Sequence, residues 1–376
     1  MRNGRLAAGL LSFGLSVATA IVAVAVSMLV IALTGGEAGE AARALYDGAF
    51  GSRAQVAGTL GKMIPLILVA LGWILAFSAR RINIGFEGQI LAGGILATLV
   101  GLAPIGLPAP LHLTLAVLAG VVGGMLYAGV AAFLWAARGV NEIISTLMLN
   151  FVAIQIVSWL VRGPIQEPTN TFPRSKPIPE AALWPKLIEN TPLGFDLFLA
   201  VAMIPVIWVV LARTTFGFNL RLTGASELAA RHAGVRTTRI TVAALVLSGG
   251  LAGLAGASTI LGGETASMSD NFSASYGFTG IVVALLARNS PWGVLPSALL
   301  FAALRQGGGL MEARVGVSSA LVLITQAVVI LVVAGAAYLV ERRRSVRVDA
   351  VAERRGPPPE AEPAPSGDAV ERAERA

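Results

Sequence analysis

The sequence contains no cysteine. Disulfide frameworks, thiolate metal sites and cysteine nucleophiles are therefore excluded. Histidine occurs only as His112 and His232, which argues against a histidine-rich metal site and against a Ser-His-Asp triad. Charge is scarce too: charged residues make up 13% of the 376, where a soluble domain carries about 25%. Hydrophobic residues supply 55%, and the mean hydropathy is +0.76. That leaves too little polar surface to cover a water-soluble globule of this size. An ordinary cytosolic enzyme, a disordered chain and a fibrous one are excluded, and an all-α polytopic integral membrane protein remains.

The charges that exist are unevenly spread. The last 36 residues, from Glu341, hold 8 acidic and 8 basic side chains together with Pro357-Pro358-Pro359, Pro363 and Pro365. Such a stretch has almost no large apolar residue to offset its ordering entropy, so 341–376 is expected to be a disordered tail after a membrane domain over 1–340. Within that domain, apolar runs stand at 11–33, 60–79, 90–109, 111–136, 143–161, 196–212, 240–261, 277–287, 293–304 and 318–340. A hydrocarbon core needs about 20 helical residues to cross it. The expectation is about ten transmembrane segments. The two runs flanking Arg288 are too short to cross unaided, and are either half-helices or extend into their Gly-rich flanks.

The net charge of +7 raises the question of nucleic acid, and the distribution answers it. With a cytoplasmic N-terminus and one crossing per run, inside segments hold 15 basic residues and outside segments 9, before the remoter tail is counted. The bias places both termini inside and explains the charge as topology, with no nucleic-acid partner. The run after Arg2 and Arg5 exceeds a signal-peptide core of about 7–15 residues, so an uncleaved first helix is expected.

Two loops interrupt the apolar pattern. Residues 162–195 carry seven prolines and read as a stiff, irregular extracytoplasmic lid or docking surface. Residues 213–239 carry five arginines on the opposite side. There Ser226-Glu227 can cap a short helix through His232, with a stop at Gly234. This loop is either a helix lying parallel to the membrane or a solvated linker whose arginines touch anionic lipid.

Polar side chains at membrane depth are costly unless they line a cavity or find partners. Asn83, Glu87 and Gln89, with Gly85 and Gly88 between them, either line a route or gate or form an interfacial loop in which Glu87 pairs with an arginine. Asn141, Ser145 and Asn150 fall near one helical face, and serve either the route or interhelical hydrogen bonding. Ser248, Gly249, Ala252, Gly253 and Gly256 form small-residue stripes suited to close helix packing. No phosphate-cradling loop is present: Gly58-Thr59-Leu60-Gly61-Lys62-Met63 has the wrong spacing and no hydroxyl after the lysine. No catalytic constellation is visible.

Four stretches carry a resemblance. They are Asn83-Ile84-Gly85-Phe86-Glu87-Gly88-Gln89; Val140-Asn141-Glu142 through Asn150; Thr215-Phe216-Gly217 through Arg221, Gly224, Ala229-Ala230 and Gly234 to Ser248–Gly256; and Gly277-Phe278-Thr279-Gly280 through Arg288-Asn289 to Pro291 and Gly293. In this order, over roughly 60–340, the chain resembles membrane permease subunits of binding-protein-dependent ABC importers, of the branched-chain amino acid/ribose class. Within that class it is most similar to the simple-sugar and nucleoside branch. The resemblance implies a bacterial plasma (inner) membrane protein forming a translocation channel with a second permease subunit, homo- or heterodimeric. A separate cytoplasmic ABC ATPase would use the ATP, an extracytoplasmic solute-binding protein would deliver the small-molecule solute, and this chain itself would bind no cofactor and no metal.

It also implies that 213–239 is the loop that couples to the ATPase, through Phe216, Gly217, Arg221, Gly224, Glu227, Ala229, Ala230 and Gly234. The pathway or gate is then expected at Asn83, Phe86, Glu87, Gln89, Asn141, Ser145, Asn150 and Phe278, with Phe86 and Phe278 able to stack on a nucleobase or sugar face. The alternative is an ion-coupled secondary transporter. It needs ionisable or carbonyl-lined sites near the midplane, whereas Glu87 and Glu142 lie at or near the ends of runs.

Overall fold

The computed structural model describes residues 38–168, 172–263 and 266–316, all within one unit. The expected spans at 11–33 and 318–340 and the expected tail at 341–376 lie outside the described residues. Among the described residues the chain is all-helical. It comprises α1 (Ala38–Phe50), α2 (Arg53–Ser78), α3 (Phe86–Leu102), α4 (Ala109–Arg138), α5 (Glu142–Val161), α6 (Asp196–Arg213), α7 (Thr215–Ala225), α8 (Glu227–His232), α9 (Thr237–Leu261), α10 (Tyr276–Leu286) and α11 (Pro291–Val315). A single 3-10 turn stands at Glu180–Ala182.

Six of these helices, α2, α4, α5, α6, α9 and α11, are long and apolar enough to cross a membrane, and α3 and α10 are shorter apolar helices. The expected ten spans are therefore not reached within the described residues. The two short runs resolve differently. The run 277–287 makes α10, whose 11 residues rise only about 16 Å. The run 293–304 continues through Gly307-Gly308-Gly309 into the 25 residues of α11. Helix α1 was not anticipated, because its apolar residues are too few to register as a run; it packs on α11, where Gly48 lies against Leu310 and Gly307.

Burial sorts the long helices. The most apolar 18-residue window of α2 is 78% buried and that of α9 67%, against 28% for α5 and 22% for α6. So α2 and α9 form the centre, and α5 and α6 present their apolar surface outward, as does α4 with Leu118, Leu126 and Phe133. Outward leucine and phenylalanine on apolar helices suit lipid. Lipid also removes the hydrophobic drive for helix association, so close packing has to supply it. Ser248, Gly249, Ala252, Gly253 and Gly256 are all buried on α9, against α3 and α4. At Gly253 the backbones touch: a Cβ there would stand 2.2 Å from the Gly120 carbonyl oxygen.

Local chemistry sets the helix ends. Ser52 caps α2 by accepting from the Gln55 N–H. Asn141 caps α5 through the Ile143 N–H at 2.8 Å. Thr214 caps α7 and Ser226 caps α8, so the short helix read from Ser226-Glu227 is present, preceded by a second helix that the sequence reading did not contain. In its described residues, segment 162–195 is irregular apart from the 3-10 turn. Its backbone is tied to the segment after α9 by Ser175 N–H to the Met268 carbonyl and Ile178 N–H to the Ala266 carbonyl, both 2.8 Å. The helix ends therefore sort into two groups: 162–195 gathers at one, and α7–α8 packs beside Ser78 at the other.

Candidate translocation and coupling site

Between α2 and α3 the chain breaks, and the break is filled by side-chain hydrogen bonds. Asn83, fully buried, donates from Nδ2 to Gln89 Oε1 at 3.1 Å and to Ser248 Oγ at 3.0 Å. Its Oδ1 accepts from the Gly85 N–H at 2.9 Å and from Gln89 Nε2 at 3.0 Å. Asn150, reaching across from α5, accepts the Gly88 N–H at 2.8 Å and donates to the Ile84 carbonyl at 2.9 Å. Thr146 Oγ1 takes the Ile84 N–H at 3.3 Å. The N–H groups of Ile84, Gly85 and Gly88 and the carbonyl of Ile84 are thus held by side chains, as suits backbone at membrane depth.

Glu87 lies on the first turn of α3 and is buried. One carboxylate oxygen accepts the Ser273 hydroxyl and the other accepts the Gly277 N–H at 2.8 Å. Gly277 is the second residue of α10, so Glu87 caps the N-terminus of a half-helix from another element. A carboxylate there meets both the unpaired N–H groups and the positive end of the helix dipole. The approach to α10 is irregular, with left-handed backbone at Ala274 and Ser275, and is also held by Arg305, which donates to the Ala274 carbonyl and sits 4.5 Å over the Tyr276 ring. The alternative in which Glu87 pairs with an arginine is not seen among the described residues.

Near the break, Arg81 pairs with other carboxylates. Its guanidinium reaches Glu142 at the start of α5 at 3.5 Å and Glu227 of α8 at 3.2 Å, and lies 4.4 Å over the Trp135 ring. Glu227 also accepts from Arg231 at 2.7 Å and from Thr237 Oγ1 at 3.4 Å. The Arg231 hydrogen bond, assisted by the charge of Arg81, holds the Glu227 carboxyl below its ordinary value. Next to this cluster, α7 runs against the end of α2 so closely that a Cβ at Gly224 would stand 2.4 Å from the Ser78 carbonyl oxygen. Ala230 is the buried residue of α8, and Gly217 is buried at the α6–α7 corner. Phe216 is half-buried, Arg221 and Ala229 are exposed, and Gly234 ends the turn after α8 with φ +79°.

The structure thus brings Asn83, Glu87, Gln89, Asn150 and Ser248 into or beside one polar break, and leaves other expected residues apart. Ser145 is buried, its hydroxyl turned to the Glu142 carbonyl at 3.3 Å. Asn141 is an exposed cap. Phe86 is fully enclosed among core side chains, so in this conformation its ring offers no free face for stacking. Phe278 is 42% exposed on α10. Ser273 and Arg81 were missed. Ser273 sits in a polar loop with no local pattern. Arg81 stood out only as a charge, because its partners lie 61 and 146 positions along the chain.

Comparison with known proteins agrees with this architecture. The sequence model of a family described as branched-chain amino acid transport system, permease component, matches residues 55–334. The chain is 37% identical over 331 residues to the glucose ABC transporter permease protein TsgB13 of Haloferax volcanii, covering 85% of this chain and 87% of that one. It is 32% identical to the guanosine ABC transporter permease protein NupP of Bacillus subtilis, over 84% of this chain and 90% of that protein. It is also 32% identical to the nucleoside ABC transporter permease protein NupB of Lactococcus lactis subsp. cremoris, over 70% and 74%.

Proposed function

The chain belongs to the branched-chain amino acid transport system permease family, and from that we propose that it forms the pathway by which a simple sugar or nucleoside enters the cell. It is a multi-pass membrane permease subunit of an ABC importer and not an enzyme, as its family and relatives are. The family implies three partners: an ATPase, another permease subunit and a solute-binding protein. ATP is used by the ATPase, and the permease binds no cofactor of its own. In this proposal the importer sits in the plasma (inner) membrane with both termini of the chain in the cytoplasm. Segment 162–195 faces the binding protein, and α7–α8 faces the ATPase.

One observation carries the reading. The α7–α8 pair is wedged under the end of α2, the central helix, by Gly224, and is pinned to α5 through Glu227–Arg81–Glu142. The same pair leaves Phe218 58% and Leu228 69% exposed. Large apolar side chains beside charged ones suit a protein partner. A push from an ATPase on this elbow is delivered to α2 and to the Asn83–Gln89–Ser248 break. Glu87 then holds or releases α10, and the pathway opens alternately to the two sides. The polar residues Asn83, Glu87, Gln89, Asn141, Ser145 and Asn150 serve as gate residues that exchange partners during the cycle, and Phe278 lines the pathway.

The ion-coupled alternative is not favoured by the family. The test is ATP hydrolysis by the reconstituted permease–ATPase complex in the presence of its binding protein. Binding protein loaded with glucose, ribose or guanosine should stimulate hydrolysis for at least one of these solutes. Stimulation by none of them, with stimulation by a branched-chain amino acid instead, overturns the solute assignment.

A further inference from the structure

At the end of the fold opposite the elbow, a cavity of about 440 Å³ opens between α2, α6, α9, α10 and α11. This lies within the range of about 300–1,000 Å³ for small-molecule sites. Gly61, Lys62, Ile64 and Pro65 of α2 form one wall, and Asp196, Ser258, Thr259, Tyr276 and Gln306 line much of the rest. Two of these side chains are unusual. Asp196, 2% exposed, has an Oδ1 with no hydrogen-bond partner among the described residues, and the Oγ of Ser258, 3% exposed, has none either. Buried polar atoms are nearly always paired, and leaving a carboxylate oxygen unpaired is expensive. None of the break and elbow contacts described above uses either atom.

The chemistry around the cavity selects the ligand. A carboxylate oxygen accepts hydrogen bonds, a serine hydroxyl both donates and accepts, and the Gln306 amide, whose Nε2 is committed to Gln55 at 2.6 Å, adds a carbonyl acceptor. That set matches a molecule rich in hydroxyl donors. Asp196 and Lys62 put both signs of charge on the cavity wall, so the lining as a whole favours neither an anionic nor a cationic solute. Among the described residues no cluster of three metal-ligating side chains exists to hold a cation. The cavity is also placed to be switched. Tyr276, the first residue of α10, lines it, and α10 is the half-helix that Glu87 caps at Gly277. The wall helix α2 ends at the elbow.

We propose that this cavity is a transit site for a neutral polyhydroxylated solute, a sugar or the ribose of a nucleoside, whose hydroxyls pair with Asp196 Oδ1 and Ser258 Oγ. This rests on the importer reading above and adds the place where the solute is held after its binding protein releases it. The site admits solute when α10 and α2 stand as they do here, and empties when the elbow moves α2 and loosens α10.

The experiment uses the full importer, with permease, ATPase and binding protein, in proteoliposomes. It measures both uptake of labelled glucose, ribose or guanosine and ATP hydrolysis at saturating loaded binding protein. Asp196→Asn and Ser258→Ala should each lower uptake several-fold. Stimulated ATP hydrolysis should stay within about twofold, so solute handling is lost while docking and coupling remain. Because the chain has no cysteine, Thr259→Cys places a single thiol on the cavity wall. Its labelling by a small membrane-impermeant thiosulfonate should slow several-fold in excess transported solute and not in excess glutamate. This measurement decides the matter if Asp196→Asn fails to assemble. Normal uptake by both variants, or labelling of Thr259→Cys indifferent to solute, overturns the transit site while leaving the importer reading intact. A wild-type complex that takes up none of the three solutes overturns the importer's solute class instead.

Discussion

Replacing Glu87 tests the most unusual contact in the fold. Its two carboxylate oxygens hold the Ser273 hydroxyl and the Gly277 N–H, and so fix the start of α10. Alanine leaves both donors buried and unpaired, at about 1–3 kcal/mol each. It also removes a negative charge from a helix N-terminus, worth roughly 0.3–2 kcal/mol. The sum is about 2–8 kcal/mol, which lowers the unfolding midpoint by roughly 5–16 °C at about 2 °C per kcal/mol for a large domain. Glutamine behaves differently. Its carbonyl can keep the Gly277 N–H, and its amide can donate to Ser273, whose hydroxyl turns to accept, so chiefly the charge assistance is lost, at about 1–1.5 kcal/mol. Thermal unfolding of the detergent-solubilised permease should therefore rank wild type above Glu87→Gln and Glu87→Gln above Glu87→Ala. A Glu87→Ala protein melting within about 1 °C of wild type, or a glutamine variant as unstable as alanine, would show that Glu87 does not anchor α10.

Other predictions follow from the elbow and the packing. Ala230→Asp puts a carboxylate at a fully buried position, and Gly224→Val drives side-chain atoms into the Ser78 carbonyl. Both should abolish co-purification of the ATPase while membrane insertion persists, and co-purification at wild-type level would refute the elbow assignment. Gly253→Val should force α9 and α4 apart and lower the unfolding midpoint, at an overpacking cost of about 1–3 kcal/mol; an unchanged midpoint would contradict the packing. The depressed carboxyl of Glu227 sets a pH dependence: its contribution is fully present above the ordinary value of 4.5 and is lost as pH falls through the lower folded value. ATPase association should then be flat from pH 5 to 8 with respect to this group. Decline on acidification should begin only below 4.5 and be blunted in Glu227→Gln, whereas a Glu227-dependent decline between pH 7 and 6 would contradict the assignment.

Much of this was legible in the sequence where a signal is local. Long apolar runs gave the membrane helices, because crossing a bilayer imposes length and composition together. Ser226-Glu227 gave α8, because capping is a matter of adjacent residues. The small residues of α9 marked where helices come close. What was not legible depends on partners distant in the chain. Nothing near Asn83 announces that it will meet Ser248, or near Glu87 that it will cap α10, and Arg81 finds its carboxylates on two other elements. Phe86 looked like a stacking surface because its ring is aromatic, but tertiary packing encloses it. Helix α1 escaped notice, and the extension of α11 through three consecutive glycines stood only as one of two alternatives, because neighbouring helices, not local propensity, hold them.

The central claim is that this permease has no motor of its own and is driven through α7–α8. The direct test is solute uptake into proteoliposomes holding the permease with and without its ATPase, with binding protein outside and with ATP or an imposed proton or sodium gradient as the only energy source. The account predicts accumulation only when ATPase and enclosed ATP are both present, at a rate unchanged by collapsing the ion gradients. Accumulation on an ion gradient by permease lacking the ATPase would contradict it.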